Sequence, residues 1–361
     1  MKVVFRVDAS IEMGIGHAMR CLTLADALRV EGAECHFICR EHPGNLIKQI
    51  ASRGYQVDSL PLCQSNHQGD GAATEESQLT HAHWLGCDWR TDARQTTACI
   101  ASLNYDWLVV DHYALDERWE KQLRPICSKI MVIDDLADRY HDCDLLLDQT
   151  HGRSEVDYEQ RTPISCTLLT GAKYALLRPE FAVLREYSLQ RRKEPRLEHL
   201  LISMGGADKD NVTGKVLQAL KGSYLPEDCH VSVVMGEDAP WLEDVKNLAG
   251  KLPWVVEINV NVINMAQLMA DSDLAIGAAG STTWERCCLG LPTLMLILAE
   301  NQRDIARALL DVKAVLMFDG AEQFSQLSAL STDVLKNMSC AASEITDGSG
   351  TGYVTRHLKE M

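Results

Sequence analysis

Short apolar runs alternate with longer stretches of helical apolar spacing along the first half of the chain. Runs at 3–7, 33–39, 56–60, 107–111, 129–134 and 145–148 have strand length and strand composition, while 18–31, 44–53, 92–103 and 116–125 carry apolar residues at helical intervals. This alternation predicts a parallel sheet covered by helices on both faces. Residues 61–90 break the rhythm with polar, Gly-, Gln- and His-rich sequence and read as an exposed excursion. A charged, proline-bearing stretch, Gln190-Arg191-Arg192-Lys193-Glu194-Pro195-Arg196, reads as a linker. The rhythm then resumes with strands at 199–204, 230–235, 255–258, 274–276 and 293–298, and helices from about Asn211, Trp241, Asn264, Thr282 and Asn301. The expected fold is α/β, with two Rossmann-like domains at 1–190 and 197–361 whose parallel sheets face a central cleft.

Ligands of such sheets bind beyond the C-terminal ends of the strands, so the chemistry is sought in the strand-to-helix loops. In the first loop, Asp8 to Arg20, Gly14 and Gly16 permit close approach of backbone to a ligand, and the amides opening the next helix suit a diphosphate. His17 stands at the positive end of that helix, which favours the neutral imidazole, the form that accepts a proton. The loop is a poor dinucleotide fingerprint: Met19 takes the place of the third glycine, and the strand at 35–39 runs into Arg40-Glu41-His42-Pro43 without a clear ribose-binding acid. Read alone, it is equally a helix-capping turn with an incidental histidine.

Two further glycine turns lie in the second half. Ser203-Met204-Gly205-Gly206 leads into a helix past Asp208 and Asp210, either of which can cap it. In Gly277-Ala278-Ala279-Gly280-Ser281-Thr282-Thr283-Trp284-Glu285, small residues open the backbone to phosphate and Ser281 and Thr282 offer hydroxyls. Glu285 can accept both hydroxyl protons of a ribose, or can simply compensate the helix dipole. Asn301 and Gln302 can read sugar hydroxyls and amides or cap a helix. Asp111-His112-Tyr113 and Asp134-Asp135 end two more strands, where a carboxylate can orient a histidine, bind sugar or hold a turn.

Composition narrows the class. The length of 361 residues suits two domains, and 24% charged with 46% hydrophobic residues is ordinary for a globular protein. A net charge of -16 argues against nonspecific nucleic-acid binding or a membrane-surface role. No apolar run approaches the roughly 18 residues of a membrane span and no leader-like segment precedes the first strand, so a cytoplasmic protein is expected. The 13 cysteines form no Cys-x-x-Cys pair, and Cys21, Cys99, Cys143 and Cys287 fall in apolar patterns, where cysteine acts as a small buried hydrophobe. Neither structural metal nor a disulfide framework is expected.

Taken together, Arg6-x-Asp8, Gly14-x-Gly16-His17-x-x-Arg20-Cys21-Leu22, Asp111-His112-Tyr113, Asp134-Asp135, Tyr174-x-Leu176-x-Arg178-x-Glu180-Phe181, Met204-Gly205-Gly206-x-Asp208 and Glu300-Asn301-Gln302 resemble the UDP-sugar hydrolases of pseudaminic acid biosynthesis. The motifs run in matching order from about residue 3 to residue 310. That family is related to GT-B glycosyltransferases such as the lipid II-forming N-acetylglucosaminyltransferase. The resemblance implies a GT-B-like fold with UDP held mainly by the C-terminal domain. It further implies metal- and cofactor-free addition of water at the anomeric carbon of a UDP-linked diacetamido-trideoxy sugar, with C1–O cleavage and inversion. His17 then matches the general base. Tyr113 and Asn301 match polar positions lining the sugar site, and Gly280, Ser281, Thr282 and Glu285 fall in the loop that matches the nucleotide-binding region; Gly14, Gly16, Arg20 and Gln302 are assigned with the substrate site, and Gly205 and Gly206 with the nucleotide site. The 61–90 excursion is longer than the shortest members require. The alternatives are a GT-B glycosyltransferase using an alcohol acceptor and a non-catalytic nucleotide-sugar binding protein.

Overall fold

The computed structural model describes residues 1–63, 79–101, 103–206, 208–222, 225–318 and 330–361. The chain forms two compact units, one of Met1–Leu176 with Thr351–Met361 and the other of Leu177–Gly350.

In the first unit, β1 (Lys2–Val7), β2 (Glu34–Arg40), β3 (Gln56–Leu60), β4 (Tyr105–Asp111), β5 (Cys127–Ile133), β6 (Leu145–Asp148) and β7 (Thr167–Thr170) make one parallel sheet in the order β3-β2-β1-β4-β5-β6-β7. Strands buried on both faces read as continuous apolar runs, as Val3, Val4, Phe5 and Val7 of β1 do. Odd and even residues of β1 enter separate clusters: Val3, Phe5 and Val7 pack with Leu22 and Ala25 of α1 (Gly16–Val30), and Val4 packs with Leu108 and Trp119. The covering layers include α2 (Ile47–Ser52), α3 (Trp89–Ile100) and α4 (Glu117–Leu123).

The second unit opens with α5 (Pro179–Arg191), followed by β8 (His199–Ser203), α6 (Val212–Leu220), β9 (His230–Met235), α7 (Leu242–Ala249) and β10 (Val255–Val260). It continues through α8 (Met265–Asp271), β11 (Leu274–Ala278), α9 (Thr282–Cys288), β12 (Thr293–Leu296), α10 (Arg303–Asp311), β13 (Val315–Met317) and α11 (Thr332–Ser343). Its parallel sheet runs β10-β9-β8-β11-β12-β13. Finally α12 (Gly350–Glu360) returns to the first unit.

The unit boundaries differ from the expected 1–190 and 197–361. Helix α5 belongs to the second unit: Arg191 pairs with Asp273 at 2.9 Å and Ser188 Oγ donates to the Leu289 carbonyl at 2.7 Å. Helix α12 belongs to the first, where Val354 and Leu358 are buried in the core beside β1 and the Trp107 indole donates to the Leu358 carbonyl at 2.9 Å. The i, i+4 spacing of those two apolar residues places both on one helical face. Of the 61–90 excursion, 64–78 lie outside the described residues. Residues 79–88 are held on the first unit, with Leu85 only 1% exposed, because this stretch carries an apolar anchor that its polar neighbours obscure.

Each sheet reverses its strand order once. The reversal falls between β1 and β4 in the first unit and between β8 and β11 in the second. The loops leaving those four strands flank the crevices where open α/β sheets bind ligands.

Candidate active site

At the first reversal, the loop leaving β1 and the end of β4 meet. The β1 loop closes on itself, with the Gly14 amide donating to the Ser10 carbonyl at 2.8 Å. Gly14 has φ +80°, which an L side chain rarely adopts. Its amide is therefore occupied within the turn, which this left-handed glycine shapes. Gly16 opens α1, ahead of the helix's first internal bond from the Met19 amide to the Ile15 carbonyl.

One turn into that helix, His17 and Arg20 converge on Asp111 at the end of β4. His17 Nδ1 lies 2.6 Å from Asp111 Oδ1, while Arg20 donates through Nε to Oδ2 at 2.6 Å and through Nη2 to Oδ1 at 2.7 Å. Burial pushes the Asp111 carboxyl up, but Arg20 and then His17 outweigh it and hold the group well below the usual carboxylate range. An ionised Asp111 has no proton to give, so His17 Nδ1 is the donor, and a neutral ring keeps its lone pair on Nε2. No protein hydrogen bond to that Nε2 occurs among the described residues. The 3.3 Å approach of Arg20 Nη2 to Nδ1 follows from both groups meeting the same oxygen.

Arg20 reaches onward to Asp135, with Nη1 2.9 and 2.7 Å from its two oxygens, and Tyr113 donates its hydroxyl to Asp135 Oδ2 at 2.8 Å. Burial, then Asp135, raises the Tyr113 phenol far above its ordinary value. The Tyr113 ring stands edge-on to His17, with centroids 4.6 Å apart. His17, Arg20 and Tyr113 are thus brought together, joined by Asp111 and Asp135, whose roles the sequence left open.

Beneath them lies a buried ionic cluster. Arg6 pairs with Asp8 and Asp92, Arg40 also reaches Asp92, and the Arg40 amide donates to Asp8 at 2.6 Å. Arg6-x-Asp8 therefore fixes the end of β1 and the start of the loop. His112 joins this cluster, its Nε2 3.3 Å from Asp8.

In the second unit, Gly205 follows β8 with φ +93°, and the Gly206 carbonyl accepts from the Gly236 amide at 2.9 Å. Asp208 accepts from the Val212 and Thr213 amides, both at 2.8 Å, so of the two candidate caps it is the one that holds α6. After β11, Gly280 and Ser281 turn into α9, and Ser281 makes no side-chain capping bond. Arg286, which the sequence did not single out, braces this turn by donating to the Ala278 carbonyl at 2.7 Å and to Thr283 Oγ1 at 3.2 Å. Its own signal was its position one residue beyond a loop already read as functional.

Burial raises the Glu285 carboxyl to about 7 against the opposing pull of Arg178 and Arg286, and the side chain makes no hydrogen bond among the described residues. Asn301 and Gln302 lie in a short 3-10 turn ahead of α10. Gln302 Oε1 accepts the Leu298 amide at 2.8 Å and is spent on the turn, whereas no side-chain hydrogen bond of Asn301 occurs among the described residues. Among the described residues no three His, Cys, Asp or Glu side chains are grouped to hold a metal ion, and no helix is long and apolar enough to cross a membrane.

Two Rossmann-like parallel-sheet units make up a GT-B-like fold. Residues 199–349 match the glycosyltransferase family 28 C-terminal domain. Across the whole fold the chain superposes on the crystal structure of MurG from Acinetobacter baumannii with a TM-score of 0.67, covering 100% of this chain and 99% of that one at 15% identity. More particularly, it is 26% identical to the UDP-2,4-diacetamido-2,4,6-trideoxy-beta-L-altropyranose hydrolase of Campylobacter jejuni, over 85% of this chain and 95% of that protein. It is also 27% identical to an uncharacterised protein of Methanocaldococcus jannaschii, over 84% of this chain but only 57% of the archaeal one.

Proposed function

We propose that the chain hydrolyses a UDP-linked diacetamido-trideoxy sugar, in the manner named for its Campylobacter relative, releasing UDP and the free sugar with inversion. The observation that carries this reading is the His17–Asp111 contact, which fixes Nδ1 as a donor and leaves Nε2 to take a proton from water. His17 is the general base. Asp111 is a positioning residue, and Arg20 holds Asp111 ionised. Positioned acid or base groups typically contribute roughly 10²–10⁴-fold. Attack by that water on the anomeric carbon forms the new C1–O bond and breaks the bond to the diphosphate. The electron pair leaves with UDP, whose charge is already stable in water.

In the second unit, the loops at Gly205 and Gly206 and at Gly280, Ser281 and Thr282 contribute backbone amides and hydroxyls to the diphosphate, and Glu285 accepts from the ribose hydroxyls. Its unpartnered, charge-disfavouring position suits a carboxylate that gains hydrogen-bond donors when nucleotide arrives. Asn301 is free to contact the sugar, and no metal or cofactor is required.

Incubation with the UDP-sugar in water enriched in ¹⁸O tests the reaction. Label is expected at C1 of the released sugar and not in UDP. Label in a phosphate, or release of sugar-1-phosphate with UMP, would show attack at phosphorus instead. The glycosyltransferase alternative, which the family 28 match favours, requires an added alcohol acceptor before UDP appears.

A further inference from the structure

Residues 79–88 place two aromatic side chains beside the His17 site. The His81 and Trp84 rings lie 4.4 Å apart between centroids, and Trp84 stacks on Tyr113 at 5.8 Å with planes 24° apart. His81 is 5.5 Å from Tyr113, which in turn meets His17 edge-on. The rings thus form a stacked aromatic cluster in which buried Tyr113 links Trp84 and His81 to the proposed base.

The segment is built into this position. Leu85 is buried among Val4, Ile38 and Leu108, and Asp88 caps α3 by accepting the Thr91 amide at 3.0 Å. Gly86 has φ +70°, and a Cβ there would sit 2.8 Å from His42 Cε1 and 3.0 Å from Leu62 Cδ2, so a larger residue cannot close the chain here without displacement. His83 Nε2 lies 3.1 Å from Glu12 Oε1, tying the segment to the loop that leads into His17.

Leu85 already anchors the segment, yet His81 and Trp84 remain half-buried, with part of each ring left uncovered. Burial keeps the His81 imidazole below its ordinary value, with Asp138 opposing, which favours a neutral ring. The Tyr113 hydroxyl is committed to Asp135 and its ring is buried beneath Trp84 and His81, so the open ring surface is that of Trp84 and His81. A flat, neutral, partly open aromatic surface is matched by the C–H face of a sugar ring, especially one carrying methyl groups in place of hydroxyls.

We propose that Trp84 and His81, continuing from Tyr113, form the wall on which the sugar of the UDP-sugar packs, making them binding residues that select an apolar, deoxygenated or acetamido-bearing sugar. This rests on the UDP-sugar hydrolase reading. The wall holds the sugar by its C–H face while His17 addresses the anomeric carbon.

Steady-state kinetics with UDP-2,4-diacetamido-2,4,6-trideoxy-β-L-altropyranose, alongside calorimetric binding of UDP alone, tests the wall. Trp84→Ala should raise KM for the UDP-sugar roughly three- to tenfold, the scale of one aromatic contact, with kcat within about twofold. Its affinity for UDP should be unchanged, and Trp84→Phe should recover most of the loss. His81→Ala should act in the same direction. An unchanged KM in a Trp84→Ala protein of unaltered melting temperature would overturn the proposal, as would an equal loss of UDP affinity. If the unmutated protein binds the UDP-sugar without hydrolysing it, the hydrolase reading fails and the wall is judged by Kd instead: a selective loss for UDP-sugar over UDP in Trp84→Ala supports it, and no selective loss overturns it. Absence of any UDP-sugar binding overturns both.

Discussion

Asp111 Oδ1 lies 2.6 Å from His17 Nδ1 and is held there as a carboxylate by two hydrogen bonds from Arg20. This couples a strand end to a helix start and sets which imidazole nitrogen is basic. Asp111→Asn should lower kcat roughly 10²–10⁴-fold, because a neutral amide no longer enforces the tautomer. A merely structural role would leave the ¹⁵N chemical shifts of the His17 ring unmoved, whereas the positioning role predicts a changed tautomer population. UDP affinity, measured by calorimetry, should survive.

His17→Ala should abolish hydrolysis while leaving UDP affinity nearly intact, because the imidazole acts on water rather than on the nucleotide. Parallel loss of turnover and UDP binding in a folded variant would make His17 a ligand-positioning residue.

Glu285→Gln should weaken UDP binding roughly ten- to hundredfold, since hydrogen bonds to a charged group are worth about 1.5–3 kcal/mol. The carboxyl is raised by burial from 4.5 to about 7, so UDP affinity should climb as pH rises from 6 to 8 and the acceptor ionises. The β-phosphate of UDP titrates near 6 as well, so the decisive measurement is the difference between the unmutated protein and Glu285→Gln across that range. Stability runs the opposite way. The folded state keeps a proton that the unfolded chain releases near 4.5, so this contribution is fully present below 4.5 and is lost as pH rises through about 7.

Chelation should leave turnover unchanged, given that no cluster of ligating side chains occurs among the described residues. Loss of activity in EDTA that magnesium restores would count against the metal-free mechanism.

The strands around both reversals were legible because each is a short apolar run between helical patterns, as with Val3 to Val7. Strand β7, Thr167–Thr170, was missed because only two of its four residues are apolar, unlike the Leu145-Leu146-Leu147 run of β6, and β13, Val315–Met317, because three residues carry too little pattern. His17, Arg20 and Tyr113 could be found from their loops, but the carboxylates joining them could not be assigned. Asp111 lies 94 positions from His17, and only strand order brings them together. Gly14 is ambiguous in sequence for the opposite reason: a left-handed turn and a ligand cradle ask for the same residue, and its amide here closes the turn. His81 and Trp84 were hidden in polar sequence whose single apolar anchor, Leu85, has no period to reveal it.

Leu358→Ala should destabilise the first unit by about 2–5 kcal/mol, the usual cost of truncating a buried leucine. Leu358 is 2% exposed, and its carbonyl, which receives the Trp107 indole, is retained in the variant. Urea denaturation followed by tryptophan fluorescence should report a lower midpoint.

The return of α12 to the first sheet also bears on how the molecule is made. On the ribosome the second unit, an unbroken stretch from Leu177 to Gly350, can complete its core as it emerges, while the first must wait with a gap beside β1 until Val354 and Leu358 arrive. Of the two units, the one made earlier then finishes folding after the one made later. A chain truncated before residue 351 would keep all of the second unit but leave the apolar groove beside β1 without its closing helix.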